Sequence, residues 1–413
     1  MDVTTPDAPV PTAEEITEAR RLLQDVAVRT PLEESRWLSK IAGGPVYFKA
    51  ENLQRAGSFK IRGAYVRMAR LSSEEKARGV VAASAGNHAQ GVALAAQMLG
   101  IRSIVYMPHG APIPKIKATR GYGAEVRFHG NTVDVALQEA RKYADATGAV
   151  LVHPFDHEDI VLGQATCGAE ILEQCPEVKT LVVPTGGGGL LAGIAAAVKP
   201  TRPDVHLVGV QAEGAAAYPP SLREGAPTPL ESMSTMADGI AIGRPGDVPF
   251  STVLRMVDEV TTVSEDRLSW ALLMLVERAK LVVEPAGAAG VAAVLDRAEG
   301  VGGARFETPA VVVLSGGNID PLLLMNVIRH GLAASGRYLA CTVVIPDRPG
   351  GLAGLLAVIA ETGANVIDLR HERTSAYLHI GEVDVAVQLE AKGAEHAAEV
   401  LAHLRAAGYG VRE

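Results

Sequence analysis

The sequence predicts an α/β protein in which helices cover both faces of parallel sheets, followed by a small ferredoxin-like unit. Two patterns predict it. From about residue 45 to 320, short apolar runs alternate with helical periods, as in parallel sheets buried on both sides. Beyond about residue 338, strand-like segments alternate apolar with other residues, which marks a half-buried sheet.

The elements follow in order. Thr12, Ala13, Glu14 and Glu15 read as a capping box that opens the first helix. Ile16, Ala19, Leu23 and Val26 give it an apolar stripe, and Pro31 is expected to end it. Strands are expected over 46–51, 79–84, 103–108, 124–128, 150–154, 180–185, 206–211 and 310–315, with helices between most of them. Small residues cluster at 331–337, where a boundary is expected. Leu339, Cys341, Val343 and Ile345 then alternate as a strand, and Leu352, Leu355, Leu356 and Ile359 fall at helical spacing. Residues 365–373 read as a strand, and Val383, Val385, Val387 and Leu389 alternate again. Ala397, Val400, Leu401 and Leu404 mark a second helix, and 409–412 a last strand. The order is βαββαβ, the ferredoxin-like split unit.

Composition removes several function classes. The formal charge of -8 argues against a nucleic-acid surface, which needs clustered Lys and Arg. Three cysteines, Cys167, Cys175 and Cys341, are an odd number without metal-ligand spacing, so a reducing, cytoplasmic setting is expected. Residues 1–11 are polar and Pro-rich, unlike a signal peptide, and no stretch approaches the ~18 apolar residues of a membrane helix. His153, His157 and Glu158 do not have a metal-site spacing, and no metal is expected.

Four segments carry chemistry. Ser58-Phe59-Lys60-Ile61-Arg62-Gly63-Ala64 places Lys60 near a helix start, where partial positive charge disfavours an ammonium and favours a nucleophilic amine. Taken alone, Lys60 also reads as a solvated surface lysine. Ser84-Ala85-Gly86-Asn87-His88 lies where a strand turns into a helix, suited to a carboxylate or to an ordinary N-cap. Pro184-Thr185-Gly186-Gly187-Gly188-Gly189-Leu190 lets unpaired backbone N–H groups approach an anion, with phosphate the natural ligand; a tight turn is the plain alternative. Leu314-Ser315-Gly316-Gly317-Asn318 ends another strand, and Ser315 there meets a ligand or is a loop serine. A rival reading takes Gly187, Gly189 and Ala192 as a loose dinucleotide fingerprint with Glu213 as the ribose acid, which would make the chain an NAD-dependent oxidoreductase.

Together and in this order, the four segments resemble the serine/threonine dehydratase family, which shares the pyridoxal-phosphate (PLP) fold of the tryptophan synthase β subunit. The resemblance covers most of residues 12–330. It implies a large lobe over 1–52 and 156–330 and a small lobe over 53–155. It assigns catalysis to Lys60, Ser84 and Ser315. Lys60 would bind the cofactor aldehyde and later move the Cα proton, with Phe59 packed near the ring. Ser84, Ala85, Gly86 and Asn87 would hold the substrate carboxylate, and Asn87 would also reach the ring hydroxyl. Gly186, Gly187, Gly188, Gly189 and Leu190 would hold the phosphate. Gly239 and Glu284 would lie beside the cofactor, and Ser315 would bond the pyridine nitrogen. Threonine would yield 2-oxobutanoate and ammonia, and serine would yield pyruvate.

Two departures matter. Racemases similar to this chain place a second serine where Ala85 stands, so racemisation is expected to be poor. The family's cation site uses acidic residues where Gln211 and Ala217 stand, so no strong Mg²⁺ site is expected. Residues 338–413 resemble an ACT domain, with Asp347-Arg348-Pro349-Gly350-Gly351-Leu352 as the loop opening its first helix. The resemblance implies an isoleucine- or valine-regulated threonine ammonia-lyase and a homotetramer; a domain that only assembles subunits, or a catalytically inactive amino-acid sensor, remain open beside it.

Overall fold

The computed structural model describes residues 9–373 and 378–412. The chain forms two compact units, Met1–Leu324 and Met325–Glu413. The first contains β1 (Leu32–Glu34), β2 (Val46–Lys49), β3 (Val80–Ala83), β4 (Ser103–Met107), β5 (Glu125–Phe128), β6 (Val150–Leu151), β7 (Thr180–Pro184), β8 (His206–Ala212), β9 (Glu259–Val263) and β10 (Ala310–Val313). The eight expected strands correspond to β2–β8 and β10. Sequence reading missed β1 and β9. Both lie at sheet edges, and neither carries the continuous apolar run of a central strand.

The strands form two sheets, ordered β1-β2-β10-β7-β8-β9 and β5-β4-β3-β6. Only the β1–β2 pair is antiparallel within them. Each sheet reverses its direction of winding once. The chain runs outward through β7, β8 and β9, then returns to set β10 on the other side of β7. It likewise runs through β3, β4 and β5, then returns to set β6 beside β3. Loops leaving such a reversal diverge to opposite faces, which opens a crevice at the carboxyl ends of the strands.

The capping box at Thr12 forms as expected, with Glu15 N–H donating to the Thr12 hydroxyl and the Glu15 carboxylate accepting from Thr12 N–H. The helix ends at Leu22, however, well before Pro31. The chain then leaves helical geometry to exchange two bonds with the Gln54 amide through the backbone N–H and carbonyl of Val28. Val26 is buried just outside the helix that was expected to hold it.

Helix Lys60–Ala69 packs against helix Glu158–Gln174 at very close range. A Cβ on Gly163 would lie 2.5 Å from the Gly63 Cα and 2.6 Å from the Arg62 carbonyl oxygen. Beside this contact, four charged side chains meet inside the protein. Arg62, 1% exposed, donates to Glu51 at 2.8 and 2.9 Å and to Glu170 at 2.7 and 3.0 Å. Lys49 donates to Glu170 at 2.6 Å. Two cations and two anions balance, which buried charges require.

The second unit contains β11 (Tyr338–Pro346), helix Gly351–Glu361, β12 (Asn365–Glu372), β13 (Glu382–Glu390), helix Ala394–Ala406 and β14 (Gly410–Arg412). The sheet is antiparallel with order β12-β13-β11-β14, the ferredoxin-like arrangement expected. Its core joins Val343, Ile345, Val385 and Val387 of the sheet to Leu355, Ile359, Val400 and Leu404 of the helices. In the loop before its first helix, Asp347 pairs with Arg373 at 3.2 Å. Among the described residues no helix is long and apolar enough to cross a membrane.

The Gly63–Gly163 approach generates a prediction. Gly163→Ala forces two backbones apart, so it destabilises the protein by about 1–3 kcal/mol. A thermal-unfolding midpoint equal to that of the wild type would contradict the contact.

Candidate active site

The loops that follow β3, β6, β7 and β10 open on one cleft of about 760 Å³. This size suits a cofactor together with a small substrate. The structure brings the sequence-predicted residues together there: Phe59, Lys60, Ser84, Ala85, Gly86, Asn87, Gly186, Gly187, Gly188, Gly189, Leu190, Gly239, Glu284 and Ser315 all line it. Glu213, the acid that the dinucleotide reading needs, follows β8, is exposed and is not among the lining residues.

Lys60 is the first residue of its helix, and its Nζ donates to the Pro154 carbonyl at 2.9 Å. The same atom lies 5.1 Å from the centroid of the Phe59 ring. Burial depresses the Lys60 amine to about 8, against an opposing pull from the Glu284 carboxylate. An amine in this range is a usable nucleophile and base near neutral pH, which an ordinary lysine is not.

The lysine and serine segments are tied through backbone. Phe59 N–H donates to the Ser315 carbonyl at 3.2 Å, and Gly317 N–H donates to the Gly57 carbonyl at 2.9 Å. Ser315 is buried, at 4% exposure, on the cleft wall. Glu284 N–H donates to the Gly316 carbonyl at 3.0 Å, which fixes the glutamate beside the same loop. Burial and the nearby Asp238 carboxylate raise the Glu284 carboxyl to about 7, while Lys115, Asn87 and Lys60 pull it down.

Asn87 is the first residue of helix Asn87–Leu99. Its Nδ2 donates to Glu284 Oε1 at 2.5 Å, and its Oδ1 accepts from Asn318 Nδ2 at 2.8 Å. The Ser84 hydroxyl accepts from Gly86 N–H at 3.0 Å and so shapes the turn. The next residue, His88, is buried and its Nε2 lies 2.8 Å from the Val152 carbonyl. Burial and the Lys60 charge push this imidazole down to about 3, so it stays neutral and donates to that carbonyl.

The glycine run leads from β7 into helix Gly189–Val198, whose N-cap Gly188 has φ +99° and supplies no side-chain cap. A Cβ on Gly188 would lie 1.8 Å from the Tyr218 hydroxyl, and one on Gly187 would lie 2.3 Å from the Phe155 ring. Only glycine fits, and the helix amides there are left for an outside acceptor.

Sequence reasoning missed three participants. Lys115 and Asp238 meet across the cleft, with Lys115 Nζ 2.6 Å from Asp238 Oδ2. Asn318 stood in a quoted segment, but its bond to Asn87 depends on loops from two sheets meeting. Asp238 stood beside Gly239; nothing in the one-dimensional pattern marks Lys115. Among the described residues, no three His, Cys, Asp or Glu side chains group as metal ligands. Gln211 instead accepts from Tyr218 N–H at 2.8 Å.

The family model described as "Pyridoxal-phosphate dependent enzyme" matches residues 23–316. The chain is 47% identical to an L-threonine ammonia-lyase of Thermotoga maritima over 97% of this chain and 99% of that protein. The structure resembles that of the processed threonine deaminase isoform 2 from Solanum lycopersicum, with a TM-score of 0.72, 35% identity and coverage of 78% of this chain and 95% of that one. It also resembles maize serine racemase, with a TM-score of 0.72, 32% identity and coverage of 79% and 99%. With a family model matched over most of its length and a relative 47% identical end to end, the chain belongs to the pyridoxal-phosphate-dependent enzyme family.

Proposed function

We propose that this protein is an L-threonine ammonia-lyase that converts threonine to 2-oxobutanoate and ammonia and also accepts serine. The single observation that carries the chemistry is Lys60, a half-buried amine held by the Pro154 carbonyl and depressed to about 8 in the cleft that the glycine run also lines. The near-full-length relative from Thermotoga maritima carries the choice of substrate.

The residues present fit PLP. The N–H groups of Gly186–Gly189 and Leu190 would hold its phosphate, since they line the cleft at the start of a helix that has no side-chain cap. Lys60 Nζ would hold its aldehyde, Phe59 and Gly239 would flank the ring, and the Ser315 hydroxyl would meet the pyridine nitrogen. When bound, the cofactor supplies a sink for the electron pair left at the substrate Cα. A neutral hydroxyl there, unlike a carboxylate, would not hold a proton on that nitrogen, which would favour elimination over transamination.

The chain's own groups do the rest. The Ser84–Asn87 turn binds the substrate carboxylate through N–H groups at a helix start. Lys60 Nζ, once freed, takes the proton from Cα, and the β-hydroxyl leaves with a proton as water. Hydrolysis of the released enamine, through its imine, returns one water and yields the oxo acid and ammonia. Ala85 has no proton to deliver to Cα, so inversion at that carbon is not supported from its position.

We assign residues 1–52 and 156–330 to a large lobe, 53–155 to a small lobe and 338–413 to an ACT regulatory domain in a cytoplasmic homotetramer. The βαββαβ unit and the loop from Asp347 to Gly351 support a site for isoleucine or valine. Either amino acid is expected to shift the threonine saturation curve of the full chain. Identical curves with and without both would leave the domain an assembly element.

Two further outcomes test the core reading. Borohydride reduction of the holoenzyme followed by peptide mass spectrometry should place the reduced cofactor on Lys60, and a coupled assay should detect 2-oxobutanoate from threonine. An adduct elsewhere would overturn the assignment of Lys60. For the apoenzyme, the neutral amine fraction grows about tenfold per pH unit below its pKa. Reconstitution with PLP should therefore accelerate with pH and level off near pH 8. A rate still climbing at pH 10 would show that the amine has an ordinary lysine pKa.

A further inference from the structure

Lys115 is placed where a lysine is costly. It lies in the first turn of helix Ile113–Gly121, where the helix dipole repels an ammonium. Its side chain is 8% exposed, so most of its hydration is lost. One partner offsets this: Nζ donates to Asp238 Oδ2 at 2.6 Å, and the Asp238 side chain is 53% exposed. The pair is an inter-lobe contact, because the helix follows β4 of the small sheet and Asp238 lies between β8 and β9 of the large one. An ammonium has three N–H donors, and this bond uses one. The nitrogen lies near the carboxylate turn, since a Cβ on Gly86 would be 3.9 Å from Lys115 Nζ.

We propose that Lys115 is a substrate-binding residue that takes the amino-acid carboxylate at the Ser84–Asn87 turn while it keeps Asp238, so that substrate binding draws the two lobes together. This deepens the lyase reading and rests on it. The carboxylate turn supplies only neutral donors, and a full charge close by discriminates an α-carboxylate from an α-amide far better than neutral donors do. Asp238 acts through Lys115. It holds the ammonium over the turn and continues into Gly239, which lies against Glu284, with the Gly239 Cβ position 3.4 Å from Glu284 Oε1. Closure at the mouth is thereby coupled to the residues beside the cofactor.

The test uses the holoenzyme and four variants: Lys115→Met, Lys115→Arg, Asp238→Asn and the double variant Lys115→Met with Asp238→Asn. Lys115→Met is expected to raise KM for threonine roughly tenfold with a smaller change in kcat. Lys115→Arg should recover part of the loss. Asp238→Asn should raise KM less than Lys115→Met does. The double variant should be no worse than Lys115→Met, because both changes remove one linked contact. L-alanine, which has no leaving group, supplies a second readout when titrated by the visible spectrum against L-alaninamide. The wild type should prefer the carboxylate, and Lys115→Met should narrow that preference.

A KM for Lys115→Met within about a factor of two of wild type, with the alanine preference unchanged, overturns the clamp. Additive effects in the double variant overturn the linkage to Asp238. Should Lys115→Met fail to fold, the exposed Asp238→Asn and the conservative Lys115→Arg still decide the outcome through the same titration. A wild-type enzyme that binds alanine but releases no oxo acid from threonine overturns the lyase reading instead, and the alanine preference then decides the clamp by itself.

Discussion

Lys60 works only where its helix starts, and that start is held by charges two residues further along. Arg62 cannot move without stripping Glu51 of its ion-pair partner and Glu170 of one of its two in the interior. Lys49, on β2, shares Glu170 with it, so strand, helix Lys60–Ala69 and helix Glu158–Gln174 are locked by one neutral cluster. Such clusters are poor sources of net stability, because desolvation offsets much of the attraction. Their geometry is exacting, however, since each lone pair and N–H must find its partner. The Gly63–Gly163 contact allows the two helices to come close enough for Arg62 to reach Glu170. Position, more than stability, is what this arrangement provides to the amine.

The cleft itself follows from topology. Each sheet reverses its winding once, and the loops at the reversals carry the chemistry: Ser84–Asn87 after β3, Pro154 after β6, the glycines after β7 and Ser315 after β10. Two reversals that share a cleft let one ligand be gripped from both sheets. The bonds Asn87–Glu284, Asn87–Asn318 and Lys115–Asp238 stitch across that meeting. Every one joins the small-sheet region to the large-sheet region.

This division also explains what the sequence made legible. Lys60, Asn87, the glycine run and Ser315 were readable because each sits at a strand end in its own short segment, with residue types that only that geometry rewards. Central strands were readable because β3, β4, β7 and β10 are buried throughout. Edge strands β1 and β9 were not, since a partly exposed edge lacks the apolar run. The first helix ended early because Gln54, remote in sequence, captured the Val28 backbone. Nothing in the segment around Lys115 marks it, for its bond to Asp238 joins regions of two different sheets. Local chemistry was legible, and contacts between distant segments were not.

The electrostatics of the cleft bring these strands of argument together. Burial pushes Lys60 down to about 8 and Glu284 up to about 7, so both move toward their neutral forms. Their mutual attraction opposes this and holds the charged forms within reach. A site with both groups fully charged would trap the amine as ammonium. A site with neither perturbed would keep the amine protonated and the carboxyl ionised in the same way. Burial thus moves the amine and the carboxyl toward each other in proton affinity, from opposite directions. Burial is the largest influence on Glu284; of the inter-lobe pair, Asp238 raises its carboxyl and Lys115 lowers it.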